Sequence, residues 1–277
     1  MAKGIGLIGN FKGKVGNMVG YKLTASNTGN TQGVRVYQPI VKNPKTAAQA
    51  EQRAKLAPIN ATYRALKMII DRGNEGLPYG NKSRLAWLKQ AFKPNYMPWF
   101  DKGVVPYYPV CCQLTKGSLA SISYDVSEDT IGITSASFTT ETGVGTIGAV
   151  STALLSAFVQ LKAGDQLTIV QIANVNEQMM SVVDSFVIDP TSTEATSKFS
   201  VVAGKLNYAA ITGCYAGAII ISREGAQGEH MRSTEDLLIT STYVSEEPYD
   251  AASKTAAIKS YMSSAAVNAD WAEESIQ

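Results

Sequence analysis

One histidine, three cysteines and no aspartate or glutamate ahead of Glu51: these shortages limit the chemistry open to this 277-residue chain. His230 sits in the polar stretch GAQGEHMRS, so histidine triads, H-E-x-x-H zinc sites and base-activated cysteines have no second partner. Cys111, Cys112 and Cys214 form no C-x-x-C or zinc spacing, and adjacent cysteines do not readily bridge each other. They are read as buried, reduced thiols of a protein made in a cytoplasm. A secretory leader needs an unbroken apolar run, and Asn10, Lys12 and Lys14 interrupt the candidate. The charge-free stretch 142–161, TGVGTIGAVSTALLSAFVQL, holds Gly143, Gly145, Gly148 and Gln160, and reads as a buried turn with a strand or short helix rather than a membrane span.

Two nucleotide signatures fail on the same kind of test. Gly4-Ile5-Gly6-Leu7-Ile8-Gly9 matches G-x-G-x-x-G, but no strand precedes it and no acidic ribose ligand follows about 20 residues on. A P-loop around Gly13-Lys14 would need glycine at position 8 and Ser or Thr at 15, where Ile8 and Val15 stand. The acidic pairs Glu128-Asp129, Glu235-Asp236 and Glu246-Glu247 are expected at turns and strand ends, keeping sheet edges soluble rather than holding calcium or doing acid–base work. No enzymatic activity, cofactor or metal site is expected.

What is present is charge, unevenly placed. The net +2 hides seventeen Lys/Arg against four Asp/Glu in residues 1–105, and eight against nineteen in residues 106–277. Such asymmetry points to contact with a polyanion or to head-to-tail contact between unlike surfaces of two copies. Lys3, Lys12, Lys14, Lys22, Arg35, Lys42, Lys45, Arg53 and Lys55 are the candidate contact residues, with Phe11, Tyr21 and Tyr37 among them. Cations neutralise phosphates and aromatic rings stack on unpaired bases.

At 45% hydrophobic and 17% charged residues the bulk of the chain is globular. The expected fold class is α+β in four parts. Residues 1–42 form an extended, glycine-rich basic arm, with a turn cluster at 25–33 and a strand at 34–41. Residues 43–103 form a helical region, in which Thr46 and Gln49 make a capping box. There Leu56, Ile59, Tyr63, Leu66 and Ile70 line one face, Pro58 kinks or splits the helix and Gly73 ends it. A second helix over 82–92 should carry Leu85, Leu88 and Phe92 on one face beside Trp87. Residues 104–248 read as an antiparallel β-sandwich or jelly roll, with strands at 104–114, 118–126, 130–138, 166–175, 179–189, 197–203, 214–222 and 236–244. Residues 249–277 read as a helix capped by Asp250, with Ile258, Tyr261, Met262, Ala265 and Trp271 on its apolar stripe.

The run G-N-F-K-G-K-V-G-N-M-V-G from Gly9 to Gly20 is followed by Asn43, Pro44, Thr46, Ala48, Gln49, Gln52 and Arg53 in the pattern N-P-x-T-x-A-Q-x-x-Q-R. These motifs resemble a family of Bacteroidota and their phages, to which no activity is attached. The second motif is similar to those of phage particle components. The resemblance implies a virion structural protein, capsid-associated or at the portal and tail, made in the host cytoplasm. Its partners would be other copies, other virion proteins and DNA, with no membrane. Two other readings stand beside it: a cytoplasmic protein that binds nucleic acid non-specifically, and a β-sandwich module for glycans or surfaces.

Overall fold

The computed structural model describes residues 13–24, 30–37, 46–93, 97–133, 144–202, 204–225, 228, 230–240 and 249–262. The order of elements is β1 (Gly13–Val15), β2 (Met18–Thr24), β3 (Asn30–Val36), α1 (Ala47–Ala65), α2 (Lys67–Ile70), α3 (Asn81–Ala91), β4 (Gln113–Thr115), β5 (Tyr124–Val126), β6 (Thr130–Ile133), α4 (Ile147–Ala157), β7 (Gln166–Val175), β8 (Gln178–Val187), β9 (Phe199–Val202), β10 (Lys205–Ala209), β11 (Cys214–Glu224), β12 (His230–Arg232), β13 (Glu235–Asp236), β14 (Leu238–Ile239) and α5 (Ala251–Met262). The fold is α+β, with antiparallel sheets and a C-terminal helix. The chain divides into two compact units, Met1–Lys45 and Thr46–Gln277.

The first unit holds a three-stranded antiparallel sheet in the order β1-β2-β3. β3 begins at Asn30, inside the stretch expected as a turn, because Asn30 to Val36 pair without interruption with Thr24 to Met18. The expected strand residues 38–41 lie outside the described residues.

In the second unit β11 runs through the centre. Cys214 to Ile221 are all buried, and the strand pairs with β7 on one side and with β12 and β14 on the other. Side chains of a strand alternate between faces. Accordingly Leu167, Ile169, Ile219 and Ile221 face one core, while Val170, Ile172, Ala218 and Ile220 face another. The first core is closed by Ile131, Ile133, Phe199, Leu206 and Tyr208 from the sheet β5-β6-β10-β9, and by Val150 and Leu154 of α4. Gly217 permits this sheet-on-sheet approach, since a Cβ there would stand 3.0 Å from the Ile131 side chain and 3.1 Å from the Val170 carbonyl. The second core is closed by α1, α2, α3 and the aromatic segment around Trp99, Phe100, Tyr107 and Tyr108. The hairpin between β7 and β8 turns through Asn176 and Glu177, at φ 52° and 57°, the positive pair that matches strand twist in a two-residue turn. The charge-free stretch contains helix α4, with Thr146 as its N-cap; no helix among the described residues is long and apolar enough to cross a membrane.

Several expected elements differ in instructive ways. Helix α1 passes through Pro58 unsplit and ends at Ala65; Gly73 follows the separate turn α2. The proline is itself buried beside Ile59, and that packing outweighs the roughly 3 kcal/mol cost of an interior proline. The buried face of α1 is Ala50, Ala54, Pro58, Ile59 and Thr62, while Leu56 is 39% exposed. Small residues let this helix lie close against α5 and the sheet, so the larger leucine is turned outward. In α3 the buried positions are Ser83, Trp87 and Ala91, and Leu85 is 49% exposed. The indole is the larger apolar surface and takes the inner face. Of the strand expected over 104–114 only its last residues are in β4. Pro106 and Pro109 supply no N–H for a ladder, and the segment is instead pinned by Val110 N–H donating to Thr62 Oγ1 at 2.9 Å. Strand 118–126 shrinks to β5, the described part of strand 236–244 holds β13 and β14, and β10 was not anticipated. The ends of strands 130–138 and 236–244, and Ala265 and Trp271, lie outside the described residues. Asp250 caps α5 as expected, its Oδ1 accepting from Ser253 N–H at 2.6 Å.

Candidate functional site

The first unit carries seven Lys/Arg and no carboxylate. Its sheet register sets where they stand. Lys14 opposes Val19, and Val19 opposes Arg35, so the two cations sit on one face with a strand between them, roughly 10 Å apart by strand spacing. Both are exposed. Just past β3, Tyr37 N–H donates to the Asn17 carbonyl at 2.8 Å, which returns the tyrosine to the β1–β2 turn. The Lys14 ammonium lies 3.6 Å from the centre of the Tyr37 ring, a cation–π contact that fixes both at the surface. The result is a small cationic, aromatic sheet face with no acidic residue among its described neighbours in the unit. Lys22 is placed on β2 opposite Gln32. Lys3, Lys12, Lys42 and Lys45 lie outside the described residues.

The two remaining candidates belong to the second unit and differ from each other. Arg53 is exposed on α1. Lys55 is engaged within its own chain: its ammonium meets Glu51 at 2.8 Å, Lys254 of α5 meets the same carboxylate at 3.4 Å, and both lie over the Trp99 ring at 5.9 and 5.4 Å. The Lys55 hydrogen bond, against some burial and aided by Lys254, holds the Glu51 carboxyl below its usual range. This trio ties α1 to α5 and leaves Lys55 little freedom to meet anything else.

Sequence reading did not find the side-chain clusters that tertiary packing assembles. Asp184 on β8 accepts from the Tyr208 hydroxyl and pairs with Lys198 at 2.7 Å, fastening the two sheets. Burial, then the hydrogen bond to Asp184, pushes the Tyr208 phenol upward, so it stays protonated and serves as a donor. Asp165, 1% exposed, receives both arms of Arg223 at 2.6 and 2.7 Å and the Lys162 N–H at 2.8 Å, a bidentate clamp on the turn before β7. Of the acidic pairs, Glu128-Asp129 is exposed in the β5–β6 turn as expected, and Glu246-Glu247 lies outside the described residues. Glu235 contradicts the expectation of a solubilising edge charge: it is 5% exposed, and burial raises its carboxyl to about 7, against a hydrogen bond from Ser233 and aided by Asp236. The register shift between Glu235 and Asp236 turns it inward. His230 opens β12 instead of lying in a free loop, and is exposed. The three cysteines are free thiols, and burial pushes Cys112 up to about 12, where it is inert as a nucleophile. Among the described residues no group of three metal-ligating side chains converges.

No family model, no curated protein and no solved structure matches the chain.

Proposed function

We propose that this chain is a structural component of a bacteriophage particle. Its cationic N-terminal unit would lie against an anionic neighbour, and residues 46–277 would form the body. One observation carries the reading: charge follows the structural division. The first unit holds seven Lys/Arg and no acid, while the second holds eighteen Lys/Arg and twenty-three Asp/Glu. A basic unit and an acidic body on one chain suit head-to-tail contact between copies, which builds rings or filaments. The resemblance of the N-terminal motifs to a family of Bacteroidota and their phages, and of the Asn43–Arg53 motif to phage particle components, supports the particle context.

The exposed Lys14–Arg35 face beside Tyr37 also favours packaged nucleic acid as the neighbour. Deleting residues 1–42 tests the main reading. The expected product is a folded body that neither self-associates nor enters particles; a truncated chain that assembles like the full one would refute it. Retention on single- and double-stranded DNA separates the two neighbours. If about six phosphates are neutralised, affinity falls roughly a thousand-fold between 50 and 200 mM salt. Retention that ignores salt removes nucleic acid as the neighbour.

A further inference from the structure

A second cationic surface lies on the body, formed by arginines and a lysine that the charge count did not single out. The turn after α2, the segment following β4 and strand β12 are stitched together. Lys116 N–H donates to the Gly73 carbonyl at 2.9 Å, Glu75 N–H to the Lys116 carbonyl at 2.9 Å, and Leu119 N–H to the Arg232 carbonyl at 2.9 Å. The Glu75 carboxylate closes the junction, accepting from Ser118 N–H at 2.8 Å, the Ser118 hydroxyl at 2.9 Å and Arg232 N–H at 3.1 Å. Burial raises the Glu75 carboxyl, but these donors outweigh it and hold it below the usual range. Gly117 allows the close approach, since a Cβ there would run into the Arg232 carbonyl and stand 2.7 Å from Glu75 Oε2.

This junction gathers cations around an exposed ring. The Arg72 guanidinium lies 5.4 Å from the centre of the Tyr79 ring, and the His230 ring lies 6.0 Å from it at 36°. Arg232 is half-buried and stands two residues along β12 from His230, on the same face of the strand. Burial, with the Arg72 charge adding to it and Tyr79 opposing, draws Arg232 below the usual guanidinium range. Among the described residues no carboxylate stands within 4.0 Å of either guanidinium. Glu75, the acid built into the junction, spends its oxygens on backbone N–H groups and a hydroxyl. Two like charges in one cluster, one of them half-buried, without a counter-charge are unfavourable, and an anion between them relieves that repulsion.

We propose that Arg72 and Arg232, with exposed Lys116 on the adjoining segment and with Tyr79 and His230 as an aromatic wall, bind a phosphoryl oxyanion. Guanidinium forks match the oxygens of such a group, and a phosphate monoester brings nearly two negative charges to the two guanidinium charges. The source is either free phosphate or the phosphate of a nucleic acid strand. The site is independent of the N-terminal unit and stands or falls separately from it.

His230 is the sole histidine of the chain, so its ring protons give an isolated NMR signal inside the proposed site. The full chain is titrated with inorganic phosphate and, separately, with an oligothymidylate, each against sodium chloride of equal ionic strength. The expected result is movement of the His230 signals beyond the chloride control. Arg72→Glu and Arg72→Gln should weaken it at least about tenfold, while a Lys14→Glu/Arg35→Glu chain keeps it. Response to inorganic phosphate identifies free phosphate as a sufficient ligand; response to the oligonucleotide alone identifies a strand. Absence of movement with both probes, or the same response in the Arg72 variants, overturns the site. Arg72 is exposed, so its replacement removes no core contact.

Discussion

Replacing Glu235 by glutamine should make this protein more stable, and only above mildly acidic pH. Glu235 is almost wholly buried between β4, β5 and β11, with Tyr124, Thr115, Ser233 and Asp236 around it. Its Oε1 has no hydrogen-bond partner. Burial is the leading cause of its raised carboxyl, from an ordinary 4.5 to about 7. A group that holds its proton more tightly in the folded chain makes the folded state bind more protons between those two values. Stability therefore falls as pH rises from about 4.5 to about 7 and stays lower above it. At about 1.4 kcal/mol per pH unit the ionised side chain costs about 3 kcal/mol. Glutamine imitates the protonated form in shape and carries no charge. Urea unfolding followed by circular dichroism should show no difference between the chains near about pH 4, and a gain of about 3 kcal/mol for Glu235→Gln near about pH 8. Carboxylates held below their usual range, such as Glu51, Glu75 and Asp184, work in the opposite sense as pH drops, but they are common to both chains and cancel in the difference. A gap that is constant with pH, or that favours the parent at high pH, refutes the reasoning.

Thr62→Val should cost about 1–3 kcal/mol, because the hydroxyl accepts from the buried Val110 N–H and donates to the Pro58 carbonyl at 2.9 Å each. Thr62→Ser, which keeps both bonds, should lose less, and equal losses in denaturant unfolding would show that the hydroxyl is idle. Asp165→Asn should cost about 3 kcal/mol, the lower end for breaking a buried pair because the Arg223 side chain is 20% exposed. An unchanged melting temperature would show that the clamp contributes nothing.

Long elements with strong periodicity were legible. Strand β7 spans the residues expected, β8 and β11 differ from expectation only at their ends, and Thr46 and Asp250 cap the helices assigned to them. Which face a helix buries was less legible. Of the face expected from Leu56 to Ile70, Ile59, Leu66 and Ile70 are buried and Tyr63 packs against the core, but Leu56 is exposed and Ala50, Ala54 and Thr62 complete the inner side. On α3 Trp87 takes the inner position and Leu85 the outer, because closeness of approach and indole area matter more than a residue's rank on a hydropathy scale. The irregular chain from Val104 to Cys112 misled most. Its valines and tyrosines resemble a strand, yet its order comes from hydrogen bonds to Thr62 and Tyr215 and from ring contacts among Phe100, Tyr107 and Tyr108. Of the candidate site, the cation-rich front was plain from counting. The pairing of Lys14 with Tyr37, the loss of Lys55 to Glu51 and the Arg72–Arg232 surface were not, since each joins residues through a fold that no local pattern announces.

Sequence alone determined that the N-terminal region is cationic and that the body mixes helices with antiparallel strands, because charge is additive and side-chain periodicity is local. The tertiary structure decided which charges are spent. A carboxylate costs little in water and much in a core, and an arginine answers to whatever stands within a few ångströms of it. Glu235 and Arg232 acquired their character only when distant strands closed around them.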